Sequence, residues 1–249
     1  MAGNSNPESD WRVWQNPEVA TNFANEGRAA VMGAEEQMNV LRQLLPEDDV
    51  PSENRRVLDL GCGDGVLLAT VLSHWQGAEG IALDGSPAMI ELAHTRFANT
   101  PNVQYVSADF NDSSWRDALP SPTFDAVISG YAIHHSEDDR KRALYSEILQ
   151  ILRPGGVFVN IEHVASASPK GESLFEHAYA YNLTRIRQKA GADTDFERTL
   201  EDLHQRLDKS ANRLTPVETQ LQWLREIGFQ DVDCYWKHYE LAILAGYRP

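Results

Sequence analysis

The chain has 249 residues, 42% of them hydrophobic and 24% charged, so a packed core is within reach and wholesale disorder is excluded. No apolar run approaches the roughly 20 residues of a membrane-spanning helix. The first ten residues have neither the basic start nor the apolar stretch of a secretory signal, and Cys62 and Cys234 are too few for a disulfide framework. A cytoplasmic protein with reduced thiols is the expectation. The formal net charge is −15, and even residues 163–215 only balance eight basic against eight acidic side chains. Polyanion binding needs Lys and Arg to neutralise phosphates, so nucleic acid is disfavoured as a partner.

In chain order, residues 17–45 show helical spacing through Val19, Phe23, Val31, Met38, Leu41, Leu44 and Leu45. With the polar, proline-bearing stretch 46–54 they make residues 1–55 a helical lead-in. From residue 56 the rhythm alternates. Strands are predicted over 56–61, 80–84, 102–107, 124–130 and 156–164, and helices over 66–75, 86–97 and 137–152. Ser86 is the expected N-cap of the second helix, with Pro87 in its first turn. Such alternation predicts a parallel sheet covered on both faces. Right-handed crossovers then bring the carboxyl ends of the strands to one edge, where ligands of open α/β sheets bind.

Residues 165–215 break this rhythm. They are polar, with helical patterns over 174–189 and 195–208, and are expected to cap that edge. The chain closes with a helix over 216–227, Gly228, and strands over 229–236 and 239–247 joined by a tight Lys237-His238 turn. Residues 216–249 thus complete the core begun by residues 56–164.

The informative heptad is Asp59-Leu60-Gly61-Cys62-Gly63-Asp64-Gly65. A glycine-rich turn between strand and helix lets backbone approach a ligand closely, because no Cβ intervenes. The dinucleotide pattern G-x-G-x-x-G is the competitor, but here the third glycine falls one position early. Asp84 follows 21 residues after Gly63, at a second strand end. Asp109-Phe110 follows the third, Phe124-Asp125-Ala126-Val127 opens the fourth, and Leu152-Arg153-Pro154-Gly155-Gly156 precedes the fifth. Together these residues resemble the class I S-adenosylmethionine-dependent methyltransferases, strongly over 56–164 and in pattern over 216–249. The sequence around 124–164 is similar to quinone-pathway methyltransferases and to the enzymes of tRNA wobble-uridine carboxymethyl transfer.

The resemblance implies a Rossmann-like, doubly wound α/β sheet of seven strands in the order 3-2-1-4-5-7-6, its last strand antiparallel. It also implies S-adenosylmethionine as cofactor and S-adenosylhomocysteine as product. Gly61, Cys62 and Gly63 would form the turn beside the amino-acid end, and Asp59 would help hold the ammonium. Asp84, with Gly85, would serve the ribose, and Asp109 and Phe110 the adenine. Backbone around Ser129 and Gly130 would complete the floor. Cys62 reads as small filler rather than a nucleophile.

A sulfonium methyl is already activated, so the protein must chiefly align an acceptor and exclude water. A hydroxyl or thiol acceptor needs a base as well. His134 and His135 lie just beyond the fourth strand and are the candidate catalytic residues. Glu162 and His163 end the fifth strand; strand alternation sends them to opposite faces, and no recognised metal signature is present. In 165–215, Tyr179, Tyr181, Arg185, Arg187 and Lys189 are candidate acceptor contacts, although Arg185 and Arg187 cannot both face one pocket. Trp11, Trp14, Phe23 and Arg28 are candidates for a lid. The first reading is a methyltransferase with a small-molecule acceptor, acting as monomer or homodimer. An RNA-directed or modified-cofactor enzyme of the same fold, a non-catalytic cofactor-binding protein and, least favoured by the glycine spacing, a nicotinamide-dependent oxidoreductase are the alternatives.

Overall fold

The computed structural model describes residues 11–22, 30–47 and 50–249. Strand β1 (Arg56–Leu60) pairs in parallel with β2 (Glu79–Asp84) and with β4 (Phe124–Gly130). β3 (Val103–Ser107) extends the sheet beyond β2, and β5 (Leu152–His163) extends it beyond β4, both in parallel. β7 (Leu241–Tyr247) runs antiparallel between β5 and β6 (Gln230–His238). The order is therefore β3-β2-β1-β4-β5-β7-β6, as the sequence implies.

Alternation along β1 shows why both faces must be covered. Val57 enters one apolar cluster, with α2 (Ala34–Leu44) and α3 (Val66–His74) supplying Leu41, Leu44, Leu68 and Val71. Leu58 and Leu60 enter the other, against Leu144 and Ile148 of α5 (Asp138–Ile151) and Leu224 of α8 (Val217–Ile227). Each of these fully buried aliphatic side chains stabilises the fold by about 1.5–3 kcal/mol. α4 (Pro87–Arg96) is capped as predicted: the Ser86 hydroxyl accepts from Met89 N at 3.3 Å, with Pro87 in the first turn.

In the lead-in, a 3-10 turn (Trp11–Gln15) and the short α1 (Pro17–Asn22) precede α2. Two local expectations are corrected. β5 starts at Leu152, because Leu152 pairs with Phe124 across a register shift that absorbs the Pro154-Gly155 step. The final hairpin turns at Tyr239-Glu240 rather than Lys237-His238, with Tyr239 taking the left-handed conformation at φ 53°. Between β5 and α8, α6 (Pro169–Lys189), α7 (Phe196–His204) and a 3-10 turn (Leu207–Ala211) contribute one wall of a cavity at the sheet edge.

Candidate active site

Glycine chemistry shapes the turn that follows β1. Gly61 and Gly63 sit at φ 70° and 54°, left-handed conformations that cost a side-chain-bearing residue energy. The N–H groups of Gly61 and Cys62 both donate to Leu83 O, at 2.8 and 2.9 Å, which ties the turn to β2. A Cβ at Gly61 would lie 2.4 Å from Ala132 Cβ, and one at Gly85 would lie 2.7 Å from the Trp11 ring. Asp84 Oδ2 accepts from Gly63 N at 2.9 Å and Oδ1 from Ser86 N at 2.8 Å. Burial pushes its carboxyl up to about 6, against the pull of these N–H groups.

Gly61, Gly63, Asp84, Gly85, Asp109, Phe110 and Gly130 line one cavity of about 70 Å³, closed by Trp11 and Trp14. A backbone cradle that a Cβ would fill, a half-buried acceptor carboxylate and an apolar ring at neighbouring strand ends suit an adenosyl ligand. Asp109 Oδ1 is engaged by its own turn, accepting from Asn111 N and Nδ2. Asp59, Cys62 and Ser129 lie beneath this cavity rather than in its wall. Asp59 is buried and accepts from Leu68 N at 3.1 Å in the first turn of α3. Cys62 packs in the core, where burial pushes its thiol up. The Ser129 hydroxyl donates to Leu60 O at 2.7 Å, joining β4 to β1.

A second cavity, of about 430 Å³, adjoins the first, and Trp14, Tyr131 and His135 line both. The two histidines predicted as catalytic have different surroundings. His135 spends both ring nitrogens: Nε2 accepts from Trp14 Nε1 at 3.0 Å and Nδ1 donates to Ala211 O at 3.2 Å. His134 Nδ1 meets Glu162 Oε1 at 2.7 Å inside the core. That leaves Nε2 as its basic nitrogen. Burial holds the His134 imidazolium well below its usual range and pushes Glu162 up to about 7.

Alternation separates Glu162 from His163, yet both meet His134, whose ring stands 5.6 Å from that of His163. His163 Nε2 in turn meets Glu240 Oε2 at 2.9 Å. Of the residues expected from 165–215, Tyr179 reaches the large cavity. Arg185, Arg187 and Lys189 do not line it, and Tyr181 is 60% exposed. The cation that does reach it, beside Lys209, is Arg206, paired with Asp208 and hydrogen-bonded to Tyr179. Arg206 and Glu240 carried no local signal, since their place depends on how the chain returns to the edge. Trp11 and Trp14 close the small cavity, whereas Phe23 and Arg28 lie outside the described residues.

Comparisons with known proteins agree with this geometry. Residues 57–156 match the family model described as a methyltransferase domain. The demethylmenaquinone methyltransferase of Clavibacter sepedonicus is 28% identical over 186 residues, which span 74% of this chain and 69% of that protein. A malonyl-[acyl-carrier protein] O-methyltransferase of Halalkalibacterium halodurans is 27% identical over 198 residues, 76% of this chain and 72% of the relative. Among solved structures, the O-methyltransferase family 2 protein of Planctomyces limnophilus in complex with apigenin superposes with a TM-score of 0.62 at 17% identity. That superposition covers 94% of this chain and 62% of that one. Over residues 57–156 the chain thus carries a methyltransferase domain, set on the strand order and the glycine turn described above.

Proposed function

We propose that this protein transfers a methyl group from S-adenosylmethionine to a hydroxyl oxygen of a small-molecule acceptor, with S-adenosylhomocysteine as product. The observation that carries the reading is the junction of the two cavities at Trp14, Tyr131 and His135, with the His134–Glu162 pair in the larger. When bound, S-adenosylmethionine supplies a sulfonium methyl whose bonding pair leaves with sulfur. The backbone at Gly61 and Gly63 would flank it, Asp84 beside Gly85 would accept from the ribose hydroxyls, and Asp109 and Phe110 would serve the adenine. Asp59, Cys62 and Ser129 act from below, fixing the turn and strand ends that those groups stand on.

His134 Nε2 takes the acceptor's hydroxyl proton while Glu162 holds Nδ1–H and so fixes the tautomer. His135 positions Trp14 and takes no proton. Residues 165–215 serve as a cap over residues 56–164 and 216–249, with the 1–55 lead-in covering the cofactor side. The described residues include no helix long and apolar enough to cross a membrane. Free Cys62 and Cys234 favour the cytoplasm, and the acidic charge favours a small acceptor over nucleic acid. Both cavities are closed by one chain's own elements, which suits a monomer or a homodimer.

Calorimetry with S-adenosylmethionine and S-adenosylhomocysteine tests the assignment. Micromolar binding of both, lost in Asp84→Ala, is the expected result. Binding of reduced nicotinamide instead, or of none of the three, overturns it.

A further inference from the structure

The acceptor cavity holds two histidine–carboxylate pairs, and the proposed proton transfer uses only one. His134 is held through Nδ1 by Glu162 at 2.7 Å, and His163 through Nε2 by Glu240 at 2.9 Å. Glu162 and Glu240 are 1% and 4% exposed, so each carboxylate fixes its ring from inside the protein. The two rings meet edge to face with centroids 5.6 Å apart. His134 Nε2 and His163 Nδ1 carry no hydrogen bond to any described residue. In the neutral ring whose Nε2–H donates to Glu240, Nδ1 is a lone-pair acceptor. His163 is therefore built to receive a hydrogen bond from something that enters the cavity.

The remaining wall says what enters. Its two fixed cations are engaged, Arg206 with Asp208 and Lys209 with Glu176, and Glu172 and Glu240 add further carboxylates to the wall. An anionic acceptor would find its cations already engaged. Trp14, Phe175, Tyr179, Leu200, Leu203 and Leu214 supply a broad apolar and aromatic surface. Flat rings gain most from such a lining.

Resting on the methyltransferase reading above, we infer that the acceptor is a neutral aromatic compound with two adjacent hydroxyl groups. One hydroxyl is methylated over His134, and the other is read by His163. Adjacent oxygens on one ring can both reach imidazoles at this separation through hydrogen bonds of about 2.8 Å. The first O–H proton passes to His134 Nε2 as its oxygen forms the new O–C bond and the S–C bond breaks toward sulfur. The second O–H stays intact and donates to His163 Nδ1. His163 is thus a specificity-determining residue.

The test is calorimetry on the full chain saturated with S-adenosylhomocysteine, using 2,3-dihydroxynaphthalene, 2,7-dihydroxynaphthalene and 2-naphthol. One extra satisfied hydrogen bond predicts that the 2,3-diol binds about five- to tenfold more tightly than the other two. In His163→Phe that preference disappears, while 2-naphthol affinity moves by less than about twofold. Should His163→Phe fail to melt cooperatively, the pair His163→Phe with Glu240→Gln removes the buried lone carboxylate and is used instead. Equal affinities in the wild type, no binding of any naphthol, or a uniform loss across all three in the variant overturns the assignment. S-adenosylhomocysteine binding separates the failures. If it binds without diol preference, only the acceptor class falls; if it does not bind, the methyltransferase reading falls as well.

Discussion

Replacing Gly61 with alanine probes the closest approach at the cofactor edge. The new Cβ would lie 2.4 Å from Ala132 Cβ and 3.3 Å from Phe110 Cε1. The first distance is about 1 Å inside the ~3.5 Å at which carbon contacts become favourable. The backbone is poorly placed to yield, because the N–H groups of Gly61 and Cys62 share Leu83 O and φ is 70°. Left-handed backbone costs about 1–2 kcal/mol for a residue with a Cβ, and overpacking about 1–3 kcal/mol. Gly191 provides the control: its φ is 88°, but a Cβ there meets nothing within 4 Å. Gly191→Ala should then cost only the backbone part, and Gly61→Ala about 1–3 kcal/mol more. Urea unfolding at unchanged slope measures the difference, and calorimetry should show weakened S-adenosylhomocysteine binding in Gly61→Ala alone. Equal destabilisation of the two variants, with binding intact in both, would refute the close-approach argument.

Three further outcomes are expected. Burial pushes the Asp84 carboxyl up to about 6, and it must be ionised to accept from both ribose hydroxyls. S-adenosylhomocysteine affinity should therefore be flat above pH 7 and fall about tenfold per unit well below 6; a flat profile down to pH 5 contradicts that role. Glu162→Gln should lower kcat/KM for 2,3-dihydroxynaphthalene by about 10²–10⁴-fold and abolish an acid limb near pH 7, while the wild type gains activity as pH rises through that value. A variant that keeps the limb points to another group. Trp11→Ala removes a ring that closes the small cavity beside Gly85 and should speed S-adenosylhomocysteine association severalfold by stopped-flow fluorescence; an unchanged rate means that Trp11 does not obstruct entry.

The sheet and the cofactor edge were legible because their signals are local. Each of Asp84, Asp109 and Gly130 ends or follows a strand, and the unbroken burial of β1 from Val57 to Leu60 follows from a short apolar run. The acceptor side was not legible, because its contacts join distant segments. His134 and Glu162 are 28 residues apart, His163 and Glu240 are 77, and Trp14 and His135 are 121. Sequence placed His134 and His135 as equals, and only the return of Trp14 and Ala211 to the same ring separates their roles. The hairpin was misplaced for a related reason. Tyr239 takes a left-handed φ that its residue type does not announce, so the turn falls two residues later than composition suggests.

Behind the His134–Glu162 pair runs a buried polar chain that sets the pair's protonation. Glu162 Oε2 accepts from Asn160 Nδ2 at 3.2 Å, and the same amide reaches the Tyr145 hydroxyl at 3.3 Å. Tyr145 donates to Gln220 Oε1 at 2.6 Å, and Gln220 donates to Thr215 O at 3.0 Å. Thr215 Oγ1 accepts from Lys141 Nζ at 2.6 Å; that ammonium, 1% exposed, also bonds the Arg213 carbonyl and Asp138. Burial alone would protonate Glu162 and cost His134 its tautomer. The His163 N–H, the Lys141 charge and the Asn160 amide oppose it and leave the carboxyl near neutrality. Lys141→Met removes the charge at similar length, so Glu162 should lose its proton less readily and the acid limb of kcat/KM should move to higher pH. Stranding the Thr215 and Arg213 acceptors should also cost about 1–3 kcal/mol each in stability. A destabilised Lys141→Met enzyme whose acid limb stays in place would show that Lys141 only braces the fold and that the proton balance of the pair is set nearer the cavity.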